Sequence, residues 1–392
     1  MADHIPFVYN EKDCDILRKL YSDSVAVRLS LESVSKVASH LPSAPIRWID
    51  PAVDGLERWA KWDDISDHYR NHIERFEGYD KIGDPAFQEK PRSEVVRTFV
   101  ASVLDKCIQS TKAGWISVPQ LPQTNSSSRN KINRELAKGT QEWKSSRNYQ
   151  GRLILPVIFT HQNQINLKTQ RNQRIHLVKD CYRLSHADGI WVVESSLSDQ
   201  DGSHTFERTR FPGLLNLHQE LAEELSLDSI SVGGPYWGMN MILWVRGFVR
   251  HPAIGLGNSY QYYLPGGVLK PGKTRIAIPP LRRWAVARTQ LEGWLKQAVK
   301  RLPKDDVAHS QLSEILRNFG HLSLDSRMQV ATFYKEWFDS ISAVSAPGRA
   351  LALYQDLSSA YVIGKKLPDL PKDEGTARKP WQVAKQFMVN CL

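Results

Sequence analysis

Short apolar or β-branched runs alternate along the chain with segments whose apolar residues recur at helical spacing. Eight runs read as strands: residues 25–31 (VAVRLSL), 46–51 (IRWIDP), 115–120 (WISVPQ), 153–159 (LILPVIF), 189–195 (GIWVVES), 229–234 (SISVGG), 252–257 (PAIGLG) and 275–280 (RIAIPP). Several are apolar on both faces, as strands buried in a parallel sheet are. Between them Val95, Val96, Phe99, Val103, Leu104 and Ile108 fall on one helical stripe, and Leu214, Leu217, Leu221 and Leu225 on another. After the last run Leu281, Trp284, Leu291, Trp294, Leu295 and Leu302 line one face. Strand, helix, strand without hairpin signals predicts βαβ units and an α/β fold. Eight units predict a closed, TIM-type (β/α)8 barrel, with an open doubly wound sheet as the alternative.

The barrel is expected to span residues 1–302, with a helical insertion at about 52–110 over its mouth. Beyond residue 303 the β signal disappears. Leu312, Ile315, Leu316 and Phe319 predict one helix, and Val330, Tyr334, Trp337, Phe338 and Ile341 another. Residues 303–392 therefore read as a C-terminal helical extension that packs on the barrel, with an extended linker at 365–380. The 392 residues leave room for a barrel of ~250 residues and this second module.

Composition narrows the class. Apolar residues make up 41% and charged ones 24%, the balance of a globular protein rather than a disordered one. The four cysteines lie far apart with no CxxC pair, which argues against a zinc ribbon or a disulfide framework and for a reducing cytosol. No run reaches the ~18 apolar residues of a membrane helix, and the N-terminus carries acids where a signal peptide is basic. The expectation is a soluble, cytoplasmic protein with no membrane partner. The net charge of +10 is unevenly spread: residues 270–301 hold nine Lys/Arg and one acid, and residues 129–152 hold seven and two. Clustered cations predict a nucleic-acid or phosphate partner; the plainer reading is a solvated helix face.

In such a barrel the active site lies at the C-terminal strand ends. Asp50 and Glu194 are the carboxylates there, and two carboxylates in one pocket can divide acid, base and nucleophile roles. Alternatively Asp50 caps a turn before Pro51, and Glu194 pairs with an arginine. His161, with the amides of Gln162, Asn163, Gln164 and Asn166, is a candidate base or stacking group, or an ordinary polar loop. Gln120, Asn258 and Tyr260 stand at other strand ends as candidate ligand contacts. Gly233 and Gly234 let backbone approach a ligand, with Tyr236 and Trp237 available for stacking, unless they form a tight turn with core aromatics. Lys270, Lys273, Arg282 and Arg283, near Gly266 and Gly267, form a candidate phosphate rim. No metal set and no cofactor is implied, since P-loop, HExxH, GxSxG, kinase and Rossmann motifs are absent.

Residues 150–260 resemble the tRNA-guanine transglycosylase superfamily, whose barrels exchange bases in nucleic acid. LILPVIFTHQNQ is similar to its strand and substrate loop, and ADGIWVVESS and SISVGGPYWG to the strands that follow. The family's Asp-Ser-Gly-Gly motif, its cysteine and histidine zinc cluster and an aspartate after the eighth strand have no counterpart here. The resemblance implies a barrel enzyme acting on a nucleobase or nucleotide through other residues, such as Asp50 and Glu194. The alternatives are a catalytically silent barrel that binds nucleic acid or protein subunits of a larger complex, and a hydrolase or lyase of a small phosphorylated molecule.

Overall fold

The computed structural model describes residues 4–43, 45–197, 206–225, 230–256, 262–267, 274–374 and 377–392. Eight parallel strands close into one barrel: β1 Ile5–Val8, β2 Ala26–Ser30, β3 Ile46–Asp50, β4 Trp115–Ser117, β5 Arg152–Phe159, β6 Gly189–Glu194, β7 Ile230–Gly233 and β8 His251–Gly255, with β8 pairing back to β1. The expected (β/α)8 barrel is present. Seven of the eight expected runs are in it. The eighth, residues 275–280, is not: β9 Arg275–Ile278 turns back through Pro279–Leu281 and pairs antiparallel with β10 Arg283–Val286. The strand that completes the barrel is IPFV at the N-terminus.

Helices surround the sheet. α1 Glu11–Leu20 starts at Asn10, whose side chain accepts from the Asp13 amide while the Asp13 carboxylate accepts from the Asn10 amide. α2 Val34–Val37 follows β2. The expected insertion after β3 holds a 3₁₀ segment, Val53–Asp64, then α3 Asp67–Ile73, α4 Tyr79–Gly83 and α5 Pro85–Glu89. α6 Ser93–Ser110, α7 Ser127–Ser146, α8 Lys168–Ser185, α9 Phe211–Leu225 and α10 Trp237–Val245 follow. Beyond the hairpin come α11 Thr289–Arg301, α12 Val307–Arg317, α13 Phe319–Leu324, α14 Ser326–Ser342, α15 Arg349–Lys366 and α16 Gln382–Met388.

α14 takes the seat of the barrel's eighth outer helix, between α10 and α1. Tyr334 packs on Trp237 at 5.0 Å, Phe338 on Trp244 at 5.6 Å, and Arg327 pairs with Asp13 at 3.2 Å. The expected burial of Tyr334, Trp337 and Phe338 against the barrel is present. A second, smaller core gathers Ile276, Ile278, Leu281, Leu291, Trp294, Leu295, Leu312, Ile315 and Leu370. The expected boundary at 302/303 runs through this core, so hairpin, α11 and α12 act as one unit.

Strand alternation decides what faces the interior. Phe7, Trp48 and Trp191 meet edge-on across the barrel, 5.4 to 5.9 Å apart, so their positions on β1, β3 and β6 point inward. Arg28 is in register with Phe7 and Trp48 and points inward with them.

Candidate functional site

β2 reads Ala-Val-Arg-Leu-Ser. Its alternation turns Val27 and Leu29 toward the helices and Arg28 into the barrel. Arg28 is 1% exposed, and an arginine so placed is costly unless paired. It pairs with Asp50 of β3, and its guanidinium lies 4.5 Å from the Phe7 ring, 4.9 Å from Trp191 and 5.5 Å from Tyr262. Nη1 donates to the Tyr9 hydroxyl at 3.4 Å, while Nε has no partner among the described residues.

Asp50 ends β3 two residues beyond inward-facing Trp48, so it also faces the interior, at the C-terminal mouth. The turn after it is pinned at three points. The Ala52 amide donates to Asp50 Oδ1 at 3.3 Å, and the Ala52 carbonyl accepts from the Tyr69 hydroxyl at 2.8 Å. The Pro51 carbonyl lies 2.9 Å from His72 Nε2. Arg75 donates to the other ring nitrogen of His72, so Nε2 carries the proton. Burial pushes His72 down to about 4, which keeps it neutral. Ala52 adopts a left-handed φ of 57°, a strained conformation for alanine that these bonds hold in place.

Asp54 stands on the first turn of the following 3₁₀ segment, buried beside Asp50. Tyr262 donates to its Oδ2 at 2.7 Å. Burial, and then the charge of Asp50, push the Asp54 carboxyl up to about 7, while the Tyr262 hydroxyl is pushed well above its usual range by burial. Tyr262 belongs to residues 262–267, after β8, which roof the mouth. Arg58 Nε donates to the Pro265 carbonyl at 3.2 Å, and the Ser66 amide to the Gly266 carbonyl at 3.1 Å. The fit requires glycine at residue 55, where a Cβ would lie 2.4 Å from Tyr69 and 2.9 Å from the Pro265 carbonyl.

Of the residues singled out in the sequence, Asp50 is in this site and Glu194 is not. Three positions past inward-facing Trp191, Glu194 faces the outer helices, 1% exposed, where it binds Arg210 at 2.8 Å and accepts from Ser196. The two carboxylates do not share a pocket. Tyr236 is buried on the same outer side, its hydroxyl accepting from the Glu194 amide, and Trp237 packs under α14. Gly233 and Gly234 make a tight turn: at 234 φ is 87° and a Cβ would meet the Tyr236 amide at 2.5 Å. Gln120 turns outward to the Asn133 carbonyl of α7. His161 is an exposed loop residue that accepts from the Asn163 amide.

The expected phosphate rim is corrected in its arginines. Arg283 is fully buried against Glu374 and the Ala377 carbonyl. Arg282 binds Asp356 through two bonds, of 2.7 and 2.6 Å. Both tie the hairpin to the C-terminal helices, because β10 is not a barrel strand and its start does not open onto the mouth. Asn258, Tyr260, Lys270 and Lys273 lie outside the described residues. The basic run at 129–152 is largely neutralised in space: Arg129 pairs with Glu57, Arg134 with Asp180, Lys138 with Glu135, Lys144 with Asp188 and Arg147 with Asp105.

No family model matches the chain, and no curated protein is similar to it. Among the described residues no group of three or more His, Cys, Asp or Glu is placed to hold a metal ion, and no helix is long and apolar enough to cross a membrane.

Sequence reasoning missed Arg28, Asp54 and Tyr262. The signal for Arg28 was present: a cation in the middle of an alternating strand, on the face opposite Val27 and Leu29. Asp54 had a weaker one, four residues after a strand-end aspartate. Tyr262 had none, since its place depends on how the segment after β8 folds back.

Proposed function

We propose that this barrel is an enzyme that performs acid–base chemistry on a neutral, planar heterocycle of the nucleobase kind, free or on a sugar. The observation that carries this reading is the pair of buried carboxylates, Asp50 and Asp54, around one guanidinium at the catalytic end of a (β/α)8 barrel. Held near 7, Asp54 exchanges a proton at neutral pH, where a general acid or base works best. Asp54 gives its proton to a ring nitrogen as the bond from that nitrogen to the sugar breaks. Asp50, fixed by Arg28 and the pinned turn, stands beside it to meet the positive charge that develops on the sugar carbon. Water then attacks that carbon and gives its proton to the ionised Asp54, which leaves free base, free sugar and the enzyme as it began.

Charge and shape favour a base over a phosphate. Arg28 is already matched by Asp50, and a second carboxylate lies beside them, so an incoming anion would meet more negative than positive charge. A lactam edge fits better: its carbonyl accepts from Arg28 Nε, which has no partner among the described residues, and its N–H donates to a carboxylate. Phe7, Trp191 and Tyr262 supply aromatic surface around the guanidinium.

Calorimetric titration with free purine and pyrimidine bases, together with an assay for base release from nucleosides, tests the proposal. Wild type should bind at least one base and release it from its nucleoside. Asp54→Asn should keep binding and lose release by about a hundredfold or more. A wild type that binds no base, or an Asp54→Asn variant with full turnover, overturns the reading in favour of a catalytically silent barrel.

A further inference from the structure

A cleft of about 530 Å³ lies outside the barrel, between α12, α13 and α14, within the size range of ligand sites. Its lining sets apolar and aromatic side chains, Ile315, Leu322, Met328, Phe333 and Trp337, beside amides such as Gln311, Asn318 and Gln329. Three carboxylates stand on its rim, Glu314 from α12, Asp325 from the α13–α14 junction and Glu336 from α14. All three are exposed, and none has a cationic partner among the described residues. On a chain of net charge +10 this is a local reversal of sign.

We infer that this cleft docks a cationic amphipathic helix, a peptide segment with leucine-like residues on one face and lysine or arginine beside them. The apolar and aromatic side chains match the first and the acidic rim the second. Arg282 shows what these surroundings accept: its guanidinium lies 5.7 Å from both the Phe333 and Trp337 rings. Asp356 already matches its charge, so the rim acids remain available to an incoming cation. The rim carboxylates come from three different elements, so one small cation cannot meet them all, whereas side chains spaced along a helix can. The same rim repels a nucleic-acid backbone. The proposal does not depend on the chemistry at the barrel mouth.

The test uses the full chain and a fluorescein-labelled peptide of about 14 residues, with leucines at helical spacing and lysines between them, followed by anisotropy at about 0.15 M salt. A second peptide carries glutamate for every lysine. Wild type should bind the lysine peptide and ignore the glutamate one. The exposed double reversal Glu314→Lys with Glu336→Lys should weaken binding about tenfold or more, while a reversal remote from the cleft, Glu77→Lys with Glu94→Lys, should change it less than about twofold. All four positions are exposed, and circular dichroism verifies that each variant is folded. No binding by wild type, or equal loss in the two double variants, overturns the inference.

Discussion

The buried titratable groups Asp54, His72 and His218 set how stability depends on pH. Asp54, at about 7 in the folded chain and near 4 when unfolded, binds more proton folded than unfolded across that window. Its contribution is therefore fully present below pH 4 and is lost as pH rises through 7. His72 and His218 act in the opposite sense: burial pushes them down to about 4 and about 3, so each costs stability as pH falls below about 6.5. Asp54→Asn should thus be more stable than wild type at pH 8, by on the order of 2 kcal/mol, with the gain vanishing toward pH 4. Its acid loss should also be steeper, because the histidine contribution is no longer offset. Urea unfolding at intervals between pH 4.5 and 8 reads this out. Parallel curves for the two proteins would show that Asp54 does not titrate in this window. In the sequence Asp50 was visible because it ends an apolar run, where barrels place their chemistry. Glu194 had the same signal, and the difference between them is parity: from inward Trp48 to Asp50 is two residues, from inward Trp191 to Glu194 three. Which strand residue faces inward is settled by packing across the barrel, so the two carboxylates were indistinguishable until Trp48 and Trp191 were seen to touch.

Among elements, the two strand errors share a cause. IPFV is four residues long and every one is buried, so it lacks both the length and the alternation that mark a strand. RIAIPP has the expected composition and follows seven βα units, which made it look like the eighth. Its Pro-Pro was a turn signal, but the returning strand RWAV begins with Arg283, whose charge suggested a surface site rather than a buried strand end. The helix that seals the barrel, α14, was legible from its aromatic stripe alone, because covering a barrel needs only an amphipathic face. The hairpin's anchoring gives a prediction that separates structure from binding. Arg283→Met leaves Glu374 buried without its cation, and Glu374 also accepts from the Val286 amide of β10. The loss should be about 3–5 kcal/mol, the usual cost of breaking a buried ion pair from one side. Replacing both partners, Arg283→Met with Glu374→Leu, should recover part of it. Thermal melting of the two variants decides between this account and a surface role for Arg283, under which the single variant would melt like wild type.

For the molecule as a whole, charge is where sequence order misleads most. A run of cations along the chain is a patch only if the fold leaves it unmatched. α7 carries most of the run at 129–152, and the helices beside it bring Glu57, Asp105 and Asp180 against it, so that face is a network of ion pairs. The end of α11 differs. Lys300, Arg301 and Lys304 are exposed and have no acidic partner among the described residues, whereas Lys296, one turn earlier, is matched by Glu292 at 2.8 Å. A polyanion that meets this protein should therefore engage the end of α11 and gain little from α7. The three unmatched cations at the end of α11 release few counterions, so their share of the salt slope on heparin should be about three at most. Changing Lys300, Arg301 and Lys304 together to glutamate should weaken retention clearly and leave the melting temperature nearly unchanged, since all three are exposed and none has an acidic partner among the described residues. Changing Arg134 and Arg147 to glutamate should do the reverse: each would face its former partner, Asp180 or Asp105, as a like charge, so stability falls while retention persists. Elution salt on a heparin column and melting temperature, measured for both variants, check the assignment. If the α7 variant loses retention and the α11 variant keeps it, the cations that matter are those the ion pairs were taken to neutralise.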